Sequence, residues 1–389
     1  TVTTLELPHS GMGREGAEQL ASTETFSGLL RLQVEHAQLD ATAVRRLAEA
    51  PFARTLQQLR VHHNALGPPG VQALVARCAA LELLDLEATE LRGEGLAAVL
   101  GAPGLAHLRS LDLSHDDLAD DDLMPALDRL ALPALRHLAC IGNRLEARAM
   151  VALGGAARLA DLRSLDLSSN PLGDAGVGAL ARTSMLTALE VLRVKSTAVG
   201  EPGIRVLAAS ELGSRLRTLD LGGNAIDDAA LAALIAGRLT ALDTLVLDGA
   251  ALTARGLRAL VSSPLAARLE YLAVTGLAPG ALEPLLAGEL PALRTLVADR
   301  LDDAAARVLA SARGLPRLHT LVLKALDLTD AGAQLLAEAP GLEHVLWMEL
   351  DAPGVGELGR AMLRHRFGHH VGVFAGASLH AFRALGRRV

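Results

Sequence analysis

The chain has 389 residues and a net charge of −7 from 37 basic and 44 acidic side chains; half of it is hydrophobic but only 2% is aromatic, so its core is built from Leu, Ala and Val. The acidic balance argues against general nucleic-acid binding, which needs a basic footprint to displace counterions, and no apolar run approaches the ~20 residues of a membrane helix. Cys78 and Cys140 are too few for a disulfide framework and read as small buried residues in a reducing compartment.

Residues 1–30 lack the basic head and long apolar segment of a secretory signal. Thr1 stands where an initiator methionine would, and an apolar pattern begins at once with Val2, Leu5 and Leu7, which suggests a piece of a longer chain. Lys occurs only at 195 and 324, and with abundant Arg, Ala and Gly the usage fits a high-GC bacterial gene.

Along the chain an eleven-residue phrase recurs, Leu-x-x-Leu-x-Leu-x-x-Asn-x-Leu, clearest at Leu162, Leu165, Leu167, Asn170 and Leu172. Its first apolar residue falls at 2, 29, 56, 81, 108, 135, 162, 189, 216, 242, 269, 293, 318 and 342, fourteen copies spaced 24 to 27 residues apart. All four Asn of the chain (64, 143, 170 and 224) occupy the ninth position. A buried amide there can satisfy backbone groups where a strand leaves a sheet. Thr89, Asp116 and Thr197 are polar substitutes, and Leu277, Leu301, Leu326 and Leu350 take the place in the last four copies. Each phrase predicts a short strand. The remainder of each unit predicts a helix, with Asp174 and Thr329 as N-caps. A Gly in the first turn of seven copies, Gly70 and Gly332 among them, implies close packing on the neighbouring unit.

Phrase and period resemble the leucine-rich repeat of the ribonuclease-inhibitor-like class, found also in bacterial proteins, over residues 2–350. The implied fold is an α/β horseshoe solenoid of about fourteen strand-turn-helix repeats, with a concave parallel sheet and convex helices. The resemblance also implies a non-catalytic module that binds a protein partner on the concave wall. Residues 351–389 drop the phrase and read as a C-terminal cap: a helix over Glu357–Arg366, an apolar segment Val371–Phe374 and a basic tail with Arg383, Arg387 and Arg388.

Alternation along a strand points the third, fifth and seventh residues of each phrase at that wall. The fifth column is largely polar in nine copies, with Asp85, Asp112, Asp166 and Asp220 as an acidic patch able to steer a basic partner. It then turns apolar through Val246, Ala273, Val297, Val322 and Leu346. An exposed apolar stripe marks an interaction surface. With its flanking Asp248, Tyr271, Thr275, Asp299, Lys324 and Met348 it is the first candidate for the partner site.

Catalytic signals are absent. The histidines at 9, 36, 62, 63 and 115, near Glu35, Glu87 and Asp112, read as solvated imidazoles rather than as a metal site, and Gly368 interrupts the spacing of His365, His369 and His370. No nucleophile joins the His/Asp pairs, and no phosphate loop or dinucleotide fingerprint is present. No cofactor is expected. The readings left open are a cytoplasmic protein-binding scaffold, a sensor or autoinhibitory arm of a larger protein, and a GTPase-activator-like regulator.

Overall fold

The computed structural model describes residues 2–368 and the backbone of 371–374; His369, His370 and the basic tail from 375 onward lie outside the described residues. Contacts divide the chain into two units, Thr1–Thr197 and Ala198–Val389. The first holds β1 (Thr4–Glu6), β2 (Arg31–Gln33), β3 (Gln58–Arg60), β4 (Leu83–Asp85), β5 (Ser110–Asp112), β6 (His137–Ala139), β7 (Ser164–Asp166) and β8 (Val191–Arg193). The second holds β9 (Thr218–Asp220), β10 (Thr244–Leu247), β11 (Tyr271–Val274), β12 (Thr295–Ala298), β13 (Thr320–Lys324), β14 (Trp347–Asp351) and β15 (Val371–Phe374). Within each unit the strands stand side by side in chain order, all parallel, and a helix follows each phrase.

The phrase explains this directly. The central Leu of the strands from β2 to β13, Leu32, Leu59, Leu84 and so on to Leu321, is under 5% exposed and faces the helices. One strand and helix cannot bury that face alone, so neighbours stack into a solenoid-like α/β fold. The ninth-position amides stitch the stack. Asn64 Oδ1 accepts N–H bonds from Ala37 (3.0 Å) and Leu39 (2.9 Å) of the preceding repeat. Its Nδ2 donates to the Val34 and Val61 carbonyls, both at 2.8 Å. Asn143 and Asn170 repeat the pattern, as does Asn224 toward Val199 N–H and Leu221 O. A side chain that pairs four backbone groups at a strand exit removes most of the penalty of turning a buried chain.

Some helix starts are fixed by a side-chain cap and others are not. Thr329 caps the helix Asp330–Glu338 by accepting from Ala331 N–H at 3.2 Å, and Asp40, Asp227 and Asp302 cap theirs in the same way. Asp174 does not cap. Its chain enters the helix Gly173–Ala181 through Gly173 at φ +57°, which leaves Asp174 inside the first turn. The helix glycines are packing positions, as their repetition implied. A Cβ on Gly70 would meet Ala41 Cα of the previous repeat at 3.2 Å, and one on Gly332 would collide with the Asp303 carboxylate. That carboxylate is committed to the next repeat, accepting from Thr329 N–H (2.9 Å) and Thr329 Oγ1 (2.6 Å).

The last full copy sits three residues later than its apolar marker at 342 predicts. Val322 pairs with Glu349 and Leu321 with Met348, so the phrase starts at Val345. Leu342 belongs instead to the short turn Pro340–Leu342, the counterpart of Pro103–Leu105 before Leu108. Beyond it, Glu357–Phe367 is helical and Val371–Phe374 pairs in parallel with β14.

Candidate functional site

The residue after each strand exit determines what the sheet can display. The eighth position of the phrase is left-handed in the first twelve copies: His9, His36, His63, Ala88, His115, Gly142, Ser169 and Ser196 in the first unit, and Gly223, Gly249, Gly276 and Arg300 in the second, all at φ +48° to +80°. Gly meets that demand freely, and His is among the side chains that tolerate it. Each histidine there is thus held at one height on successive parallel repeats.

The consequence is a stack rather than separate solvated rings. His36 lies between His9 (centroids 4.6 Å apart, 13° between planes) and His63 (4.2 Å, 11°). His62, one residue earlier in its phrase, presents its edge to His63 at 5.3 Å and to His36 at 6.1 Å. Two glutamates bracket the group. Glu35 Oε1 is 3.2 Å from His62 Nε2, and Glu87 Oε1 is 3.6 Å from His63 Nε2 and 3.9 Å from His115 Nε2. Partial desolvation of the surface ring first, then the neighbouring His63, His9 and His62, push the His36 pKa below its ordinary value, against the pull of Glu35. His62 Nδ1 is buried with no hydrogen-bond partner.

The acidic patch adjoins this group through Glu87. Asp85 and Asp112 are register partners on β4 and β5, and Asp85, Glu87 and Asp112 bring carboxylate oxygens within 4.8 Å of one another. Burial raises the Asp85 pKa and pushes that of Asp112 up to about 6, the latter aided by the nearby Asp85 and opposed by a hydrogen bond from Ser114. The fifth-position aspartates also have a local task. Asp85, Asp112 and Asp166 each accept the N–H two residues on, at 3.0–3.2 Å, closing the turn that ends the strand, and Asp220 does so in the second unit at 2.9 Å.

In the second unit the apolar column differs from its reading as an exposed stripe. Ala273, Val297 and Val322 are 1–2% exposed, because in-register strands set them side by side and they pack on one another and against Val246 and Tyr271. Burial, with Asp248 and Asp220 nearby, pushes the Tyr271 hydroxyl up to about 12. Thr275 Oγ1 bridges Asp248 and Gly249 N–H, while Asp299 accepts from Gly276 and Leu277 N–H, so these residues shape turns. Lys324 is half-buried at the end of β13, in register with Asp351. The three-residue shift moves the other two candidates. Met348 is a core residue at 1% exposure, and Leu346, though 65% exposed, precedes β14 instead of extending the column. The shift also uncovers a residue missed from sequence. Trp347, the only Trp of the chain, shares a face with Val322 by strand alternation and is 44% exposed. The repeated Pro-Gly-Leu-x-His at 103–107 and 340–344 was the available signal for that register.

A family model described as a leucine-rich repeat matches residues 52–75, 159–181 and 215–234, each a strand with helix behind it. The chain has a leucine-rich repeat fold. Among solved structures, these leucine-rich repeats are similar to an internalin of Listeria monocytogenes (19% identity over 89% of this chain and 86% of that one, TM-score 0.50). They are also similar to the yeast Rad7–Elc1 complex structure (17% identity, 95% and 88% covered, TM-score 0.55). At such identities the likeness shows the leucine-rich repeat fold alone. No curated protein matches the sequence.

Proposed function

We propose that the protein is a non-catalytic scaffold that binds another protein on the strand face turned away from its helices, in the second unit. Leucine-rich repeat proteins in general mediate protein–protein interaction and their fold is typically non-enzymatic; the yeast neighbour is itself a structure of two proteins together. The observation that carries the reading is Trp347, exposed on the strand face it shares with the enclosed Ala273–Val297–Val322 cluster, with Leu346 before it in the chain. An exposed Trp at the rim of an apolar floor has the composition of a binding hot spot. Flanking Asp248, Asp299 and Lys324 would supply the polar rim, and the acidic positions of the first unit a second contact for a basic partner. The helical outer layer supports the ribonuclease-inhibitor-like class, and the Arg-rich, Lys-poor composition a bacterial source. Among the described residues no helix is long and apolar enough to cross a membrane; the buried thiols of Cys78 and Cys140 support a reducing, cytoplasmic setting.

The test is affinity capture from the source lysate with the wild-type chain beside Trp347→Ala and Leu346→Ser. A protein retained in stoichiometric amount by the wild type and lost by Trp347→Ala supports the site. Equal retention by all three chains refutes it. Val297 and Val322 are unsuitable probes, because an Arg buried there would disturb the fold.

A further inference from the structure

We propose that His36, His62 and His63 form a binding site for one divalent transition metal of the zinc class. Their ligand nitrogens already lie within 4.8 Å of one another. Tetrahedral coordination with metal–nitrogen bonds of about 2.0–2.1 Å requires separations of about 3.4 Å, a closure that small ring rotations supply. Imidazole is the ligand shared by zinc, nickel and copper(II), and a set of nitrogens without an oxygen shell disfavours calcium and magnesium.

Three features make this more than a crowd of histidines. First, the carboxylates sit where a metal site places its supporting partners. Glu35 against His62 Nε2 favours the proton on that nitrogen, which turns Nδ1 into the lone-pair atom, and Glu87 does the same for His63. Second, His62 Nδ1 is a buried polar atom with no hydrogen-bond partner. A buried lone pair without a donor is costly, and a cation would satisfy it. Third, the left-handed backbone at His36 and His63 holds the rings in place before any ligand arrives. His36 and His63 are exposed, so solvent has access.

Three protein nitrogens leave a coordination position for water or for a side chain of a bound protein. The metal would tie the repeat of β2 to that of β3.

The experiment titrates tag-free, chelator-treated full-length chain with zinc chloride, followed calorimetrically, with cobalt(II) absorption reporting nitrogen coordination. The expected result is one ion per chain. His36→Gln should weaken binding by more than tenfold, and Glu35→Gln by about 10–100-fold, the range for partners that orient a ligand. The exposed His107→Gln should bind as the wild type does. His36 is on the surface, so its variant remains informative even where His62→Gln unfolds. Absence of saturable zinc binding, or equal binding by His36→Gln and wild type, overturns the proposal.

Discussion

Asn143 Oδ1 accepts the backbone N–H of Asp116 at 3.1 Å, and Asp116 in its own repeat holds the place that Asn143 holds in the next. Like the amides, Asp116 uses Oδ1 to accept from the preceding repeat, from Thr89 and Leu91 N–H at 2.9 Å each. Its second oxygen replaces the nitrogen that donates in Asn64, Asn143 and Asn170, and it is buried without a partner.

This mismatch predicts that Asp116→Asn stabilises the protein. Burial pushes the Asp116 pKa up to about 6 from 3.8, so the native state holds the proton more tightly than the unfolded chain does. Below about pH 3.8 both states are protonated and the group costs nothing. As pH rises from 3.8 through 6 the ionised form is penalised and stability falls. Asp116→Asn should therefore gain about 1–3 kcal/mol at pH 7 and progressively less toward pH 4. Thermal melts of both chains at several pH values would show it; a gain independent of pH would contradict the cause.

Removing an amide works in the opposite direction. Asn170→Ala strips partners from Leu145 N–H and from the Cys140 and Leu167 carbonyls. Buried orphan groups cost about 1–3 kcal/mol each where no water reaches them, so a loss of about 3 kcal/mol is expected overall. Urea unfolding would measure it, and a change under 1 kcal/mol would mean that water replaces the side chain.

The structure separates two kinds of helix glycine. Gly332→Ala drives a methyl into the Asp303 carboxylate and Leu328 and should destabilise by about 2 kcal/mol. Gly155, in the last turn of the helix Ala147–Gly155, has nothing within 4 Å of its missing Cβ, so Gly155→Ala should gain about 0.5–1 kcal/mol. Opposite signs in paired melts are the check.

Both thiols should resist labelling in the native protein. Burial pushes the Cys78 pKa up to about 12 and raises Cys140 strongly, with Asp112, Asp166 and Asp116 adding to the effect. A disulfide reagent at pH 8 should react with neither on the time scale that modifies two thiols per chain in denaturant. Rapid native labelling of one would place it in a part that opens locally.

The sequence carried the architecture because the four Asn and the Leu spacing are locked to one backbone period. It misled at residue 342, where Leu342 and Val345 each begin an apolar pair three residues apart, and in the sequence the Pro-Gly-Leu-x-His shared with 103–107 is what distinguishes them. The fifth-column valines read as exposed because alternation tells which face a side chain takes, and not what its neighbours cover. Proximity of His36, His62 and Glu87 was readable from strand spacing. The stacking was not, since it depends on a positive φ that His seldom adopts. The clue lay in the company His keeps at the eighth position, where later copies carry Gly and Ser.

That column has a meaning for redesign. The backbone there supplies a row of anchoring points at the spacing of neighbouring strands, about 4.8 Å, while the side chain does little for folding. Ala88 is the gap between His63 and His115 and has the same left-handed geometry, φ +53°. Installing histidine at that single position would lengthen three stacked rings into an unbroken imidazole wire of five, from His9 to His115. The repeat would then serve as a ruled template on which proton or metal relays can be written one rung at a time.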